Sequence, residues 1–178
     1  SQLQETGLDY SNLVVGNVHI VTPYHKIIDA LGKANSSTLK GMSPVHASKV
    51  RKRGLRLDDL FGSVDDQRRI IGNDLEMYDG LLALNGVSEQ ELADRFEQLN
   101  SDGNKRVPQH VFDFLLSKKK DDFLIGLYEE IVRDNLAFPQ RGDVTRLIQR
   151  TLEGSGKVLL EGPQSFYLSN AIDTHWRS

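Results

Sequence analysis

Ser88 and Glu91, set between Val87 and Leu92, constrain the fold of this chain more than any other feature. A serine followed three residues later by a glutamate is a capping box, in which each side chain satisfies an orphan amide at the start of a helix. Val87 and Leu92 stand at the spacing of a hydrophobic staple. A helix therefore starts here, and Leu92, Phe96 and Leu99 continue its apolar face. Similar start signals recur along the 178 residues. Thr22-Pro23 and Ser43-Pro44 each read as a cap followed by a first-turn proline, opening helices over 23–32 and 44–53. Gly54 stands ready as the stop of the second. Ser63 with Asp66 opens a long helix whose face carries Ile70, Ile71, Leu75, Tyr78, Leu81 and Leu82 and which closes at Asn85-Gly86.

Three more helices follow the same logic. Val107 to Ser117 offers Val111, Phe112, Leu115 and Leu116 for burial. Asp121 and Asp122 precede a stripe of Phe123, Leu124, Leu127, Tyr128, Ile131 and Val132, and Asp143 caps a helix through Val144, Leu147, Ile148 and Leu152. Leu13 to Val21 is β-branched and roughly alternating, which predicts a strand kinked at Gly16. Lys157–Leu160 and Gln164–Leu168, joined across Glu161-Gly162-Pro163, read as a hairpin. Neither a lone strand nor a lone hairpin is stable by itself. The expected fold is accordingly mainly α (α+β): a body of about six helices with a small antiparallel sheet made from the N-terminal strand and the C-terminal hairpin. A single domain over 1–178 is expected, with a loose tail at 1–12 and a basic loop–helix segment at 33–56.

That basic segment carries the functional expectation. Between Asp29 and Asp58 there is no acidic residue, yet Lys33, Lys40, Lys49, Arg51, Lys52, Arg53 and Arg56 supply seven positive charges. The whole chain is formally −3, so the remainder carries −10. Charges of one sign this close together repel unless an anion neutralises them. If the 44–53 helix continues at 100° per residue, Lys49, Lys52, Arg53 and Arg56 share one side. Lys40, Lys49, Arg51, Lys52, Arg53 and Arg56 are the predicted nucleic-acid-binding residues, with contacts to phosphates and not to base edges. The competing reading is a solvated face, or one that folds back on Asp58, Asp59, Asp65 and Asp66.

Other chemistry is thinly represented. No cysteine is present, which removes disulfides, thiol catalysis and Cys-ligated metals. The five histidines form no HxH, HExxH or HxxxH pattern, so no metal site and no cofactor is expected. Gly154-Ser155-Gly156-Lys157 fails as a phosphate loop, because Thr151 replaces the first glycine and Val158 the magnesium-binding hydroxyl. Leu99 to Asn104 fails as a calcium loop, with Gln98 and Gln109 at the two essential carboxylate positions. Arg141-Gly142-Asp143 and the sequon Asn35-Ser36-Ser37 read as incidental. No apolar run approaches the roughly 20 residues of a membrane span. The first ten residues show no basic-then-apolar leader, and an intracellular (cytoplasmic) protein is expected, with a nuclear one left open by Lys49–Arg53.

The leading expectation is thus a non-enzymatic nucleic-acid-associated or regulatory protein whose partner is nucleic acid or another polyanion. The alternative is a protein–protein interaction module, an adaptor or a subunit of a larger assembly, with a protein partner or self-association. An enzyme, disfavoured because no catalytic signature is visible, would need a site assembled from dispersed residues such as His19, His25, Asp58 and Arg51.

Overall fold

The computed structural model describes residues 13–31, 40–101, 107–133 and 140–159. These belong to two compact units, 1–142 and 143–178. The first holds six α-helices among its described residues: α1 (Pro23–Leu31), α2 (Met42–Val50), α3 (Val64–Asn85), α4 (Glu89–Ser101), α5 (Gln109–Leu116) and α6 (Lys120–Arg133). A 3-10 turn, Leu57–Phe61, links α2 to α3. The second unit holds α7, Val144–Glu153, capped by the Asp143 carboxylate accepting the Arg146 amide at 3.0 Å.

The helical body is as expected, and its caps explain why. Ser63 Oγ accepts the Asp66 amide at 3.1 Å, and Gly86 closes α3 in the left-handed region at φ +61°. Ser88 and Glu91 form the reciprocal pair the sequence spells, with Ser88 Oγ accepting the Glu91 amide at 3.2 Å and Glu91 Oε2 accepting the Ser88 amide at 2.7 Å. Tyr24, Ile27, Ile71, Tyr78, Val111, Phe114 and Leu124 are fully buried. Phe114 is the centre of this core: its ring lies 5.6 Å from Tyr78, 6.4 Å from Tyr24 and 6.2 Å from Phe123, tying α1, α3 and α6 to α5.

The sheet is not the one expected. The predicted strand over 13–21 breaks where the Val18 amide turns back onto the Gly16 carbonyl at 2.8 Å. Its first part, β1 (Val14–Val15), pairs in parallel with β2 (Gln140–Arg141). Its second part pairs antiparallel with the stretch after α2: Ile20 N–H donates to Leu55 O and Leu57 N–H to Val18 O, both at 2.8 Å. One bridge, His19 opposite Arg56, results. Residues 157–159 of the expected hairpin form no strand, and its remainder lies outside the described residues, as does the predicted tail 1–12.

The basic helix also differs from its prediction. It starts one residue after Gly41, not at Ser43, because Gly41 adopts φ +75° and packs where a Cβ would stand 2.9 Å from Val21 Cγ1. Pro44 falls within the first turn, where its missing N–H costs nothing. The helix ends at Val50 and the chain turns through Lys52 (φ +56°) and Gly54 (φ +90°).

Candidate functional site

The early end of α2 changes the geometry of the basic segment. Lys52 and Arg53 leave the helical spacing, so Lys49, Lys52, Arg53 and Arg56 do not share one helix face. Lys40, just ahead of α2, is exposed, as are Lys49, Arg51, Lys52, Arg53 and Arg56. Arg51 Nη1 lies 3.1 Å from Met77 Sδ on α3. The Arg56 guanidinium donates to the Asn17 carbonyl at 2.9 Å.

Of the acids expected to fold back on this segment, Asp58 and Asp66 are engaged elsewhere and Asp59 meets its backbone. Asp58 lies 3.7 Å from the Arg141 guanidinium, and Asp66 pairs with Arg69 at 3.2 Å. Asp59 accepts the Arg56 backbone N–H at 2.7 Å, which fixes the chain and leaves the guanidinium for other partners. Among the described residues, none of the six predicted cations lies in an ion pair. Among the described residues the cationic face is open.

Lys49 and Arg56 are the two predicted residues that share a cavity. It measures about 250 Å³ and is lined by Asn17, Val18, His19, Val45, His46, Lys49 and Arg56. His46 is a cavity residue that the sequence reading did not select, and His19 entered that reading only as part of a dispersed enzyme site. His46 lies three residues before Lys49 on α2, a visible spacing, whereas His19 arrives through a backbone bridge that no local pattern announces.

The dispersed set of His19, His25, Asp58 and Arg51 is not gathered into this cavity, which holds His19 alone of the four. His25 is fully buried. Its Nδ1 accepts the Thr22 amide at 3.1 Å, so the ring proton sits on Nε2, 3.2 Å from Ser48 Oγ. Burial, with a smaller push from His19, lowers its pKa to about 4. It is a neutral structural imidazole. Beside it Tyr24 donates to Asp74 at 2.6 Å, and burial raises the Asp74 pKa against the opposing pulls of that hydroxyl, Arg53 and His19.

A larger cavity of about 670 Å³ lies where α3, α5 and α6 meet, lined among others by Asp79, Glu89, Lys118, Lys119, Lys120 and Asp121. Here two of the three lysines are already matched. The Lys120 ammonium donates to the carbonyls of Phe114 (3.2 Å) and Ser117 (3.0 Å) at the end of α5 and pairs with Glu89 at 3.0 Å. Lys119 lies 3.7 Å from Asp122. Among the described residues no group of three His, Asp or Glu could hold a metal ion.

Residues 1–175 match the family model described as adenylosuccinate synthetase. This chain belongs to the adenylosuccinate synthetase family. The adenylosuccinate synthetase of Trypanosoma brucei brucei is 48% identical over 179 residues, covering 99% of this chain and 30% of the relative. That of Leishmania major is 49% identical, covering 99% and 25%, and one from Trypanosoma cruzi is 46% identical, covering 99% and 29%. The chain thus spans less than a third of the length of these relatives. No solved structure matches.

Membership of the adenylosuccinate synthetase family overturns the expectation of a non-enzymatic nucleic-acid-associated or regulatory protein, and the interaction-module alternative with it. The nucleic-acid partner is withdrawn too. Charge density by itself does not name the partner, because a polymer of phosphodiesters and a single phosphorylated metabolite would call for the same cations. No helix among the described residues is long and apolar enough to cross a membrane.

Proposed function

We propose that this chain is part of an enzyme that forms adenylosuccinate, and that its open cationic face draws in the nucleotide that the reaction consumes. Adenylosuccinate is a purine nucleotide bearing a succinyl group, so a phosphate and carboxylates accompany the reacting ring. Lys40, Lys49, Arg51, Lys52, Arg53 and Arg56 are the residues proposed to supply the attracting field. The observation that supports this reading is the absence of any ion pair to these six cations among the described residues. A cation already matched at 3 Å has little left to offer a ligand. One left in solvent attracts an approaching anion over about 8 Å at physiological ionic strength.

A chimera tests the reading. These residues replace the matched segment of the Trypanosoma brucei brucei relative, and adenylosuccinate formation is followed against nucleotide concentration. The expected outcome is an active chimera in which the pair Lys49→Glu and Lys52→Glu raises the nucleotide KM by about tenfold or more, the loss of one or two charge-assisted contacts. Lys118→Glu with Lys119→Glu leaves KM unchanged. An inactive chimera that folds, or a KM indifferent to the first pair, overturns the proposal.

A further inference from the structure

We infer that the cavity where α3, α5 and α6 meet binds a zwitterion with an apolar side chain, the chemistry of a free apolar amino acid or of a dipeptide. This site is independent of the nucleotide reading and shares no residue with the cationic face.

The lining divides into an apolar part and a charged part. Leu82 and Leu115 are buried and Leu75 is half-buried, and beside them stands Leu116, which is 66% exposed at the end of α5. A leucine this open next to buried neighbours offers apolar area that a ligand can remove from water.

Most of the charged groups already have partners. Glu89 pairs with Lys120 at 3.0 Å and also accepts the Tyr78 hydroxyl at 2.9 Å. Lys119 lies 3.7 Å from Asp122, and Asp121 pairs with Arg68. Two groups are left over, one of each sign. Among the described residues, Asp79 on α3 and Lys118 between α5 and α6 have no ion pair. Asp79 and Glu89 therefore look to one ammonium, and the α5 carbonyls of Phe114 and Ser117 claim it as well. Partial burial raises the Asp79 pKa, and Glu89 adds to that against the pull of Lys120, as befits a carboxylate short of counter-charge.

These leftovers select the ligand by elimination. A phosphorylated or purely anionic molecule would meet the carboxylates of Asp79, Glu89 and Asp121. A simple amine would meet Asp79 but leave Lys118 without an anion. A wholly apolar body would strip water from two unpaired charges, which costs more than the leucines return. A zwitterion satisfies all three features: its ammonium donates to Asp79, its carboxylate accepts from Lys118, and its side chain covers the leucines. The volume, about 670 Å³, lies within the 300–1,000 Å³ range of sites for organic ligands.

The 178-residue chain is titrated with L-phenylalanine, followed by amide NMR shifts and calorimetry. The expected result is saturable binding with shifts clustered at 75–82 and 115–121. Phenylpropionate, which lacks the ammonium, phenethylamine, which lacks the carboxylate, and L-serine, which lacks the apolar side chain, each bind about tenfold more weakly. Asp79→Asn and Lys118→Gln, both at exposed positions, each weaken phenylalanine about tenfold with unchanged melting, whereas Lys49→Gln in the other cavity does not. The pairing is read separately: Lys118→Gln leaves phenethylamine affinity as it was, and Asp79→Asn leaves that of phenylpropionate. Glycyl-phenylalanine binding tighter than phenylalanine identifies a dipeptide as the source, and equal or weaker binding identifies the free amino acid. Phenylpropionate or phenethylamine binding as tightly as phenylalanine, affinity indifferent to both variants, or no saturable binding would overturn the site.

Discussion

At the scale of single residues, the fold around the cationic face depends on positions whose role lies in backbone geometry and burial. Gly54 at φ +90° occupies a region that costs an ordinary side chain about 1–2 kcal/mol, and a Cβ there would press on Ser48 at 3.3 Å and His19 at 3.4 Å. The sequence marked Gly54 as a helix stop. Its actual role is to bring the turn against His19. The helix stops earlier because Lys52 itself takes the left-handed conformation, which no propensity assigns to lysine. His25 makes a sharper claim. In the unfolded chain it protonates near pH 6.5, but in the fold only near 4, so it has a depressed pKa. Stability is then full above pH 6.5 and falls as pH drops toward 4, by roughly 3 kcal/mol in all. His25→Gln, which can still bond Thr22 and Ser48, should flatten that part of the stability profile measured by urea melts between pH 7 and 4. An unchanged slope would show that His25 is protonated in the fold. Asp74 acts with the opposite sign, its raised pKa giving stability at low pH that is lost as pH rises, so it cannot mimic the effect.

At the scale of elements, the start and stop signals at Ser63, Gly86, Ser88 and Asp143 were legible because a cap is a local bargain between a side chain and amides two or three residues away. The sheet was not. The alternation from Leu13 to Val21 identifies an extended segment, but pairing with 55–57 and 140–141 depends on contacts across long stretches of chain. Nothing in the extended segment names its partner. The C-terminal end of α5 shows the same limit. The Phe114 carbonyl accepts the Ser117 amide at 3.2 Å, and Lys120 from the next helix adds its ammonium to that carbonyl and to those of Leu115 and Ser117, while it also pairs with Glu89 and lies 5.1 Å from the Phe114 ring centre. The sequence shows Lys118-Lys119-Lys120 as an ordinary charged run; only the fold distinguishes the third. Lys120→Met keeps the stem and removes the ammonium, and thermal melts should show about 1–3 kcal/mol lost from the unsatisfied carbonyls and the unpaired Glu89. Lys118→Met and Lys119→Met, at exposed positions, should stay within about 0.5 kcal/mol of the parent. Equal losses at all three would remove the latch assigned to Lys120.

At the scale of the molecule, the charge imbalance between Asp29 and Asp58 was readable, but its purpose was not, because a polyanion and a phosphorylated metabolite would call for the same lysines and arginines. The hydrophobic pattern carries a related ambiguity. By periodicity α5 and α7 look alike, each with an apolar stripe, yet Phe114 is fully buried while Leu147 and Leu152 are 49% and 58% exposed. Among the described residues α7 has no buried side chain. Amphipathicity states that a helix can bury a face, and only the packing states that it does. The difference is measurable in this chain. Phe114→Ala removes a ring that touches three others and should cost about 3–5 kcal/mol, enough to unfold a domain of ordinary stability at moderate temperature. Leu147→Ala and Leu152→Ala remove comparable apolar volume from water-exposed positions and should each shift the free energy of unfolding by less than about 0.5 kcal/mol. Chemical denaturation of the three variants decides between them. A large loss at Leu147 would mean that the stripe of α7 is covered in solution, and a small loss at Phe114 would mean that the aromatic cluster on α5 is not the centre of the core.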